Sequence, residues 1–178
     1  MTGVLLVGCG KMGGALLEGW RKNKAAERFV VIEPMEAAVA HLSDAADVTV
    51  VDAVTAVPAD FKPDAIVMAV KPQSMGSAAP PFAALAANAV TLSIAAGTPI
   101  SFFEAAFGKD AAIVRAMPNT PAAIGMGMSV LCANAATTDA QRTLSDTLMQ
   151  AAGVVDWIED EGLMDVVTAL SGSGPAYV

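Results

Sequence analysis

Two kinds of hydrophobic pattern alternate along the chain: short continuous runs, and longer stretches in which apolar residues recur every three or four positions. The first run, residues 4–7, is apolar throughout and is closed by a glycine, which is typical of a buried strand. Residues 11–24 follow, and Met12, Leu16 and Trp20 fall on one face of a helix at this spacing. The chain therefore opens with a strand–helix unit.

The same alternation continues along the rest of the chain. The continuous runs predict strands at residues 4–7, 29–32, 48–51, 65–70, 89–95, 112–117, 128–132 and 154–158. After the first helix, further helices are predicted at 35–42, 73–87, 99–107, 139–152 and from 161 onward. Pro80 and Pro81 should interrupt the helix at 73–87, because proline lacks a backbone donor and clashes with the preceding turn.

Strands that alternate with helices imply right-handed crossovers and a mostly parallel sheet. We therefore predict a doubly wound α/β domain over about residues 1–160. Residues 161–178 are predicted to begin a C-terminal helical segment. The Ser-Gly-Ser-Gly-Pro sequence at 171–175 should break or kink that helix.

Composition agrees with such a domain and argues against one class of partner. Hydrophobic residues make up 54% and charged residues 16% of the 178 positions, as expected when central strands are buried on both faces. The net charge is −8, and the basic residues form no long run. A protein that binds nucleic acid normally carries a basic stripe, so nucleic-acid binding is not expected.

The sequence also predicts the cellular location and the absence of a metal. No apolar run free of charge, glycine and proline reaches the ~18 residues of a membrane span, and no charged segment precedes the first strand as in a signal peptide. Cys9 and Cys132 lie far apart, and His41 is the single histidine, so no ordinary zinc site can be assembled. We expect a cytoplasmic protein with two buried thiols, and His41 at the surface rather than acting as a base.

Residues 8–13, Gly-Cys-Gly-Lys-Met-Gly, match the G-x-G-x-x-G motif and lie between a predicted strand and a predicted helix. In this context Gly8 permits the tight turn, Gly10 lets a pyrophosphate approach the backbone, and Gly13 lets the helix pack closely on the strand. The phosphates would accept hydrogen bonds from free N–H groups at the helix N-terminus. The motif predicts a Rossmann-type dinucleotide site, and a glycine turn without a ligand is the alternative.

Glu33 lies twenty residues after Gly13, at the end of the second predicted strand. An acidic side chain there accepts a hydrogen bond from the 2′-hydroxyl of an adenosine ribose, whereas it would repel the 2′-phosphate of NADPH. No arginine lies within residues 32–42 to offset that repulsion. Glu33 therefore favours NADH; the alternative is an exposed glutamate that stabilises a helix N-terminus.

Three later loops should lie at the same edge of the sheet, since ligands bind outside the carboxyl ends of parallel strands. These loops, at residues 68–73, 95–98 and 115–121, end the fourth, fifth and sixth predicted strands. Asn119 can donate and accept hydrogen bonds and would suit a carboxamide or a carboxylate. Lys71 is either a candidate acid or a surface lysine, and each loop taken alone is also compatible with ordinary turn chemistry.

Five segments together resemble pyrroline-5-carboxylate reductases. They are Val-Gly-Cys-Gly-Lys-Met-Gly-Gly-Ala at 7–15, Ala-Val-Lys-Pro at 69–72, Ser-Ile-Ala-Ala-Gly at 93–97, Arg-Ala-Met-Pro-Asn-Thr-Pro at 115–121 and Ala-Leu-Ser-Gly-Ser-Gly-Pro-Ala-Tyr-Val at 169–178. The last two are the most specific. The five occur in order from the first strand to the last residue, so the resemblance covers the whole chain.

The resemblance implies an enzyme of proline biosynthesis that reduces the C=N bond of 1-pyrroline-5-carboxylate to L-proline with NADPH or NADH. It also implies the residues that contact the cofactor, to which the motif analysis adds Gly13 and Glu33. These residues are Val7, Gly8, Cys9, Gly10, Lys11, Met12, Gly13, Glu33, Ala69, Val70, Lys71, Pro72, Ala95, Ala96 and Gly97. At the substrate end it implies Glu161, for which a helix-start carboxylate is the alternative. Asn119 and Ser173 are further substrate-binding candidates, and no catalytic residue can be assigned.

In the family, a helical domain that interlocks two subunits follows the dinucleotide-binding domain. By this resemblance, residues 161–178 are the first helix of the dimerisation domain, and the loop that holds the substrate carboxylate lies beyond Val178. We therefore expect a homodimer or higher oligomer for the full-length protein and little or no turnover by 178 residues alone. Apolar residues of the last helix should then be exposed, namely Leu163, Val166, Val167 and Leu170.

Two other functions remain open. The first is another NAD(P)-dependent imine or hydroxyacid reductase of the same superfamily, against which the segments at 115–121 and 169–178 argue. The second is a dinucleotide-binding module without catalysis. Substrate profiling separates the first from a pyrroline-5-carboxylate reductase, and an activity assay separates the second.

Overall fold

The computed structural model describes residues 2–170, in which helices cover both faces of one sheet. In chain order the strands are β1 (Gly3–Val7), β2 (Arg28–Ile32), β3 (Val48–Val51), β4 (Ala65–Met68), β5 (Val90–Ser93), β6 (Ile113–Pro118), β7 (Gly127–Ala133) and β8 (Gly153–Trp157). The α-helices are α1 (Lys11–Asn23), α2 (Glu36–Val39), α3 (Pro72–Ala78), α4 (Ala83–Ala86), α5 (Ile100–Phe107), α6 (Asp139–Gln150) and α7 (Met164–Thr168). Short 3-10 turns lie at Ala40–Leu42, Val54–Ala56, Pro80–Phe82, Thr120–Ile124 and Glu161–Leu163.

The strands lie in the order β3-β2-β1-β4-β5-β6-β7-β8. Every neighbouring pair is parallel except β6 and β7. The predicted doubly wound, mostly parallel sheet is therefore confirmed. The antiparallel pair has a geometric reason: only residues 119–126 separate β6 from β7, whereas a parallel connection needs a crossover of a dozen or more residues.

Apolar side chains pack against both faces of the sheet. On one face, α1 and α6 contribute Leu16, Trp20 and Leu148, all fully buried. The indole N–H of Trp20 donates to the carbonyl oxygen of Leu148 at 2.7 Å, which ties α1 to α6. On the other face, α3 and α5 contribute Met75 and Phe103 to a second core. Because both faces are covered, β1 and β4 at the centre of the sheet are apolar throughout, as their sequences predicted.

The helices differ from the predicted ones in detail. Residues 35–42 form only the four-residue helix α2, which then tightens into a 3-10 turn. The proline pair interrupts residues 73–87 as predicted, with α3 and α4 on either side of the 3-10 turn at Pro80–Phe82. The helix predicted from residue 161 begins as a 3-10 turn and becomes α-helical at Met164. The break predicted at 171–175 lies outside the described residues.

Three features bear on location and metal binding. Within residues 2–170, no helix is long and apolar enough to cross a membrane. In the same part of the chain, no cluster of three or more His, Cys, Asp or Glu side chains could hold a metal ion. Cys9 and Cys132 are buried free thiols and His41 is exposed, as the sequence predicted.

Candidate functional site

The strand register brings the ends of β1, β2, β4 and β5 level at one edge of the sheet, and β6 extends three residues beyond them. Val7 of β1 lies beside Ile32 of β2 and Met68 of β4. Met68 in turn lies beside Ser93 of β5, and Ser93 lies beside Arg115 of β6. These strands run parallel, so the segments that follow β1, β2, β4 and β5, and the segment that follows β6 after Pro118, all leave the sheet at the same edge. The loops predicted to contact a cofactor therefore lie together.

The strand order reverses between β1 and β4, which is where ligands bind in folds of this kind. The segments that follow these two strands touch each other. The N–H of Ala69 donates to the carbonyl oxygen of Val7 at 2.8 Å. Gly8 has φ +93°, and a Cβ there would lie 2.9 Å from the carbonyl oxygen of Ala69. Both the backbone conformation and the close approach require glycine at position 8.

The other two glycines of the motif have opposite surroundings. A Cβ on Gly13 would overlap the carbonyl oxygen of Gly8, so α1 packs on the turn as closely as its backbone allows. A Cβ on Gly10, by contrast, would have no atom within 4 Å. Gly10 is also the N-cap of α1, where it has no side chain to occupy the free N–H groups of the first turn. The open space at this helix end therefore faces unpaired donors.

Two backbone N–H groups hold the carboxylate of Glu33. Oε2 accepts from Cys9 at 2.8 Å, and Oε1 accepts from Met35 at 3.0 Å. The first bond links the end of β2 to the glycine turn, and the second fixes the start of the turn into α2. Glu33 is half-buried and lies against the glycine turn. Its carboxylate therefore has a fixed position at the predicted site.

The thiol of Cys9 is uncharged at neutral pH. Burial raises its pKa above the ordinary value of 9.0, and the carboxylates of Glu33 and then Glu18 raise the pKa further. A thiolate in the glycine turn would repel a bound anion. The protonated thiol adds no such repulsion.

The loops at 69–72 and 95–97 are held in different ways. Lys71 is exposed and is the N-cap residue of α3, as expected of the surface alternative for this side chain. In the second loop, the N–H of Ala95 donates to the hydroxyl oxygen of Ser93 at 3.3 Å. Gly97 has φ +70°, a left-handed conformation that favours glycine. This loop is thus shaped by a specific turn before α5 begins at Ile100.

Asn119 follows β6 and has one of its two polar groups occupied. Its Oδ1 accepts a hydrogen bond from the N–H of Met128 at 2.9 Å. Because a backbone N–H can only donate, the amide oxygen must face Met128, and the amide NH₂ remains as the donor. Asn119 borders a hollow of about 230 Å³, whose other lining residues are apolar: Met117, Met128, Val130, Val167 and Leu170.

The structure adds Arg115, to which the sequence analysis assigned no role. Its side chain is 7% exposed, and Nη1 donates to Oε1 of Glu161 at 2.9 Å. The same Oε1 accepts from the N–H of Ile100 at 2.8 Å, and Oδ1 of Asp165 lies 3.7 Å from Nη2. The sequence signal was a single arginine within the otherwise apolar segment 112–117, since a buried guanidinium needs a carboxylate partner.

The remaining predicted residues lie near the end of the described chain. Leu163, Val166 and Leu170 are 48%, 56% and 73% exposed, as predicted. The same expectation for Val167 is wrong: it is half-buried, and it lines the hollow beside Asn119. Ser173 lies outside the described residues.

Comparison with known proteins gives one family and a consistent set of relatives. The model of the family described as NADP oxidoreductase coenzyme F420-dependent matches residues 3–97. The chain is 37% identical over 176 residues to a pyrroline-5-carboxylate reductase of Pseudomonas aeruginosa, covering 98% of this chain and 64% of the relative. A pyrroline-5-carboxylate reductase of Haemophilus influenzae is 36% identical with the same coverage. The chain therefore spans about 64% of the length of these curated relatives.

Solved structures agree with these relatives. A pyrroline-5-carboxylate reductase of Coxiella burnetii superposes with a TM-score of 0.89 at 28% identity, over 98% of this chain and 65% of that chain. A pyrroline carboxylate reductase of Plasmodium falciparum with NADP bound has a TM-score of 0.80 at 27% identity, over 99% and 64%. The resemblance predicted from the five sequence segments is thereby confirmed.

Proposed function

Because the chain belongs to the family described as NADP oxidoreductase coenzyme F420-dependent and resembles pyrroline-5-carboxylate reductases along its length, we propose that it is part of an enzyme that reduces 1-pyrroline-5-carboxylate to L-proline. The cofactor is a nicotinamide dinucleotide, and the reaction serves proline biosynthesis. Residues 1–160 are the dinucleotide-binding domain. Residues 161–178 begin a helical dimerisation domain.

The geometry of the glycine turn carries this proposal. The space at Gly10 is open, the N–H groups at the start of α1 have no side-chain cap, and the Cys9 thiol is uncharged. Backbone donors at a helix N-terminus suit a pyrophosphate. The cofactor supplies the hydride, while residues 7–13, 69–72 and 95–97 bind and orient it.

Within this proposal the preferred cofactor is NADH. Each carboxylate oxygen of Glu33 accepts one N–H and keeps a further lone pair for a ribose hydroxyl. A 2′-phosphate would instead meet a negative charge that two hydrogen bonds hold in place. Repulsion between like charges at such short range therefore disfavours NADPH.

A single substitution tests the role of Glu33. Glu33→Gln keeps the size of the side chain and removes its charge. We expect the ratio of NADPH to NADH affinity to rise about tenfold, which corresponds to about 1.4 kcal/mol. Glu36→Gln, three residues further on and exposed, is the matched control and should leave the ratio unchanged. An unchanged ratio in Glu33→Gln would remove Glu33 from the cofactor site.

Asn119, Glu161 and Ser173 are proposed for the substrate end of the site. The free amide donor of Asn119 suits a carboxylate or carboxamide oxygen, and the apolar hollow beside it suits a flat ring. Both donors to Glu161 converge on Oε1, so Oε2 is the atom proposed to face the substrate. A carboxylate there would stabilise a protonated imine nitrogen.

We further propose that the protein forms a homodimer or higher oligomer. We also propose that it lies in the cytoplasm. The exposed apolar side chains of Leu163, Val166 and Leu170 support burial against another surface. The free thiols of Cys9 and Cys132 suit a reducing compartment. Light scattering on the full-length protein measures the oligomeric state, and a monomer would contradict this part of the proposal.

The decisive experiment combines cofactor binding with substrate profiling. NADH and NADPH binding to the 178-residue chain is measured by calorimetry, and the full-length protein is assayed with 1-pyrroline-5-carboxylate, other cyclic imines and hydroxyacids. Dinucleotide binding together with proline formation supports the proposal. Turnover of another imine or a hydroxyacid, without proline formation, would favour a related reductase. Binding without turnover of any substrate would favour a non-catalytic module.

A further inference from the structure

Arg115 is a buried cation to which the proposed function assigns no role. Ile113 and Met117, two positions before and after it on β6, belong to or pack against the second apolar core. Side chains alternate along a strand, so the Arg115 side chain leaves the sheet on that same apolar face. With 7% of its side chain exposed, Arg115 carries a buried positive charge, which is costly unless a carboxylate pairs with it.

That partner joins three distant segments at one atom. Oε1 of Glu161 accepts from the guanidinium of Arg115 at 2.9 Å and from the N–H of Ile100 at 2.8 Å. Arg115 lies on β6, Ile100 is the first residue of α5, and Glu161 begins the 3-10 turn that leads into α7. The guanidinium fixes the carboxylate, and the carboxylate holds the first N–H of α5.

The first residue of α5 lies three positions after the loop at 95–97. The loop is tied at its other end by β5, whose Ser93 is level with Arg115 in the sheet. Gly97 turns the chain with a positive φ, and the bond from Ile100 to Glu161 is the next fixed point. The hydrogen bond to Glu161 thus restrains the chain three residues after the loop.

We propose that Arg115 is a positioning residue, which through Glu161 holds the start of α5 and thereby fixes the loop at 95–97 in the orientation that binds the dinucleotide. The inference rests on the proposed function, because it takes that loop to contact a nicotinamide dinucleotide. It also assigns Glu161 a second task, since the same carboxylate couples the loop to α7. Asp165, 3.7 Å from Nη2 and 89% exposed, is too distant and too hydrated to replace Glu161.

Four variants of the full-length protein test the inference: Arg115→Met, Arg115→Lys, Glu161→Ala and the control Asp165→Asn. In Glu161→Ala we expect amide hydrogen exchange at Ile100 to accelerate about tenfold, the size expected for loss of one hydrogen bond to a charged group. Arg115→Met should accelerate the same amide and weaken NADH binding about tenfold, because the carboxylate is released. Arg115→Lys keeps the charge and should fall between wild type and Arg115→Met. Asp165→Asn should stay within about twofold of wild type.

Kinetic constants separate positioning from simple loss of stability. A displaced cofactor loop raises the KM for NADH, whereas a smaller folded fraction lowers the apparent kcat and leaves KM unchanged. Arg115→Met with a lowered melting temperature but unchanged Ile100 exchange and unchanged NADH affinity would overturn the inference.

The wild-type protein distinguishes this failure from failure of the proposed function. If wild type binds NADH but forms no proline, the proposed reaction is wrong and the positioning role is still judged by exchange and affinity. If wild type binds neither dinucleotide, the positioning role is overturned together with the proposed function.

Discussion

The candidate site has two regions along one edge of the sheet: main-chain atoms shape the first, and side-chain atoms shape the second. Around β1 and β2 the geometry is set by main chain, through Gly8, Gly13 and the N–H groups that hold Glu33. Around β6 it is set by side chains, through Arg115 and Glu161. The first region follows a known sequence motif, whereas the second joins residues 46 and 61 positions apart that no motif relates.

This difference predicts opposite sensitivities. A main-chain site is damaged when atoms are added, because the backbone segments already touch. A side-chain site is damaged when atoms are removed, because its partners are then left buried and unpaired. Substitutions in the two regions can therefore confirm or contradict the comparison directly.

The largest effect is expected from Gly13→Ala in the first region. The added Cβ would overlap the carbonyl oxygen of Gly8, so α1 must shift on the sheet, and we expect a loss of about 3 kcal/mol in the free energy of unfolding. Gly14→Ala is the matched control, since its Cβ would meet Cys9 at an ordinary 3.8 Å. Gly14→Ala should raise the free energy of unfolding by about 0.5 kcal/mol, because alanine has a higher helix propensity than glycine. Urea denaturation compares the two, and equal effects would contradict the close packing at Gly13.

A deletion at the other end of β6, where side-chain bonds also join distant segments, should have the next largest effect. Asn134 is buried; its Oδ1 accepts from the N–H of Ile113 at 3.1 Å and from the hydroxyl of Thr137 at 2.8 Å, and its Nδ2 donates to the carbonyl oxygen of Ala111 at 2.9 Å. Asn134→Ala leaves the N–H of Ile113 and the carbonyl oxygen of Ala111 unpaired near the start of β6 and should cost about 2 kcal/mol in the free energy of unfolding. The exposed Asn88→Ala should change stability by less than about 0.5 kcal/mol. Similar losses in both variants would show that side-chain bonds do not stabilise this region.

Gly10→Ala separates binding from folding in the first region. Its Cβ would enter open space, so the free energy of unfolding should change by less than about 1 kcal/mol, the usual range at an N-cap. The same Cβ would stand where the pyrophosphate is proposed to approach, and we expect dinucleotide affinity to fall about tenfold, or about 1.4 kcal/mol. Calorimetry measures the affinity. Unchanged affinity in a folded Gly10→Ala protein would remove the phosphate from this position.

The smallest effect is expected at a partly exposed side-chain pair at the opposite edge of the sheet, outside both regions. Nε and Nη2 of Arg21 donate to the two carboxylate oxygens of Asp47 at 2.8 and 2.9 Å, and these bonds lower the pKa of Asp47 below 3.8. Arg21→Met should cost at most about 1 kcal/mol in the free energy of unfolding, because both side chains are about one-third exposed to water.

The pH dependence of that loss follows from the direction of the shift. A lowered folded-state pKa contributes stability that is fully present above the unfolded value of 3.8 and is lost as pH falls through the lower folded value. The difference between wild type and Arg21→Met should therefore be constant from pH 7 to about pH 5 and shrink below 3.8. Lys22→Met, one residue further on and exposed, should show no such dependence. A pH-independent difference in Arg21→Met would contradict the pairing.

Local patterns predicted most of the elements, and their failures have a common cause. The break at Pro80 and the turn at Gly8 follow from backbone chemistry within a few residues, and the position of Glu33 follows from its spacing after the glycine motif. All three agree with the structure. The antiparallel direction of β7 and the half-burial of Val167 were not predicted. Both depend on how the segment after β6 folds back, which hydrophobic spacing does not record.

Sequence patterns alone were enough to predict the doubly wound fold, the glycine turn and the acidic residue at the end of β2. They were enough because strands, helices and turns depend on side-chain periodicity and on residues such as glycine, whose effect on the backbone is local. The meeting of Arg115, Ile100 and Glu161 at one oxygen atom, by contrast, is visible only in the folded chain. The sequence shows that a buried arginine needs an anion, but only the packing of α5 and α7 against β6 selects Glu161 from the available carboxylates.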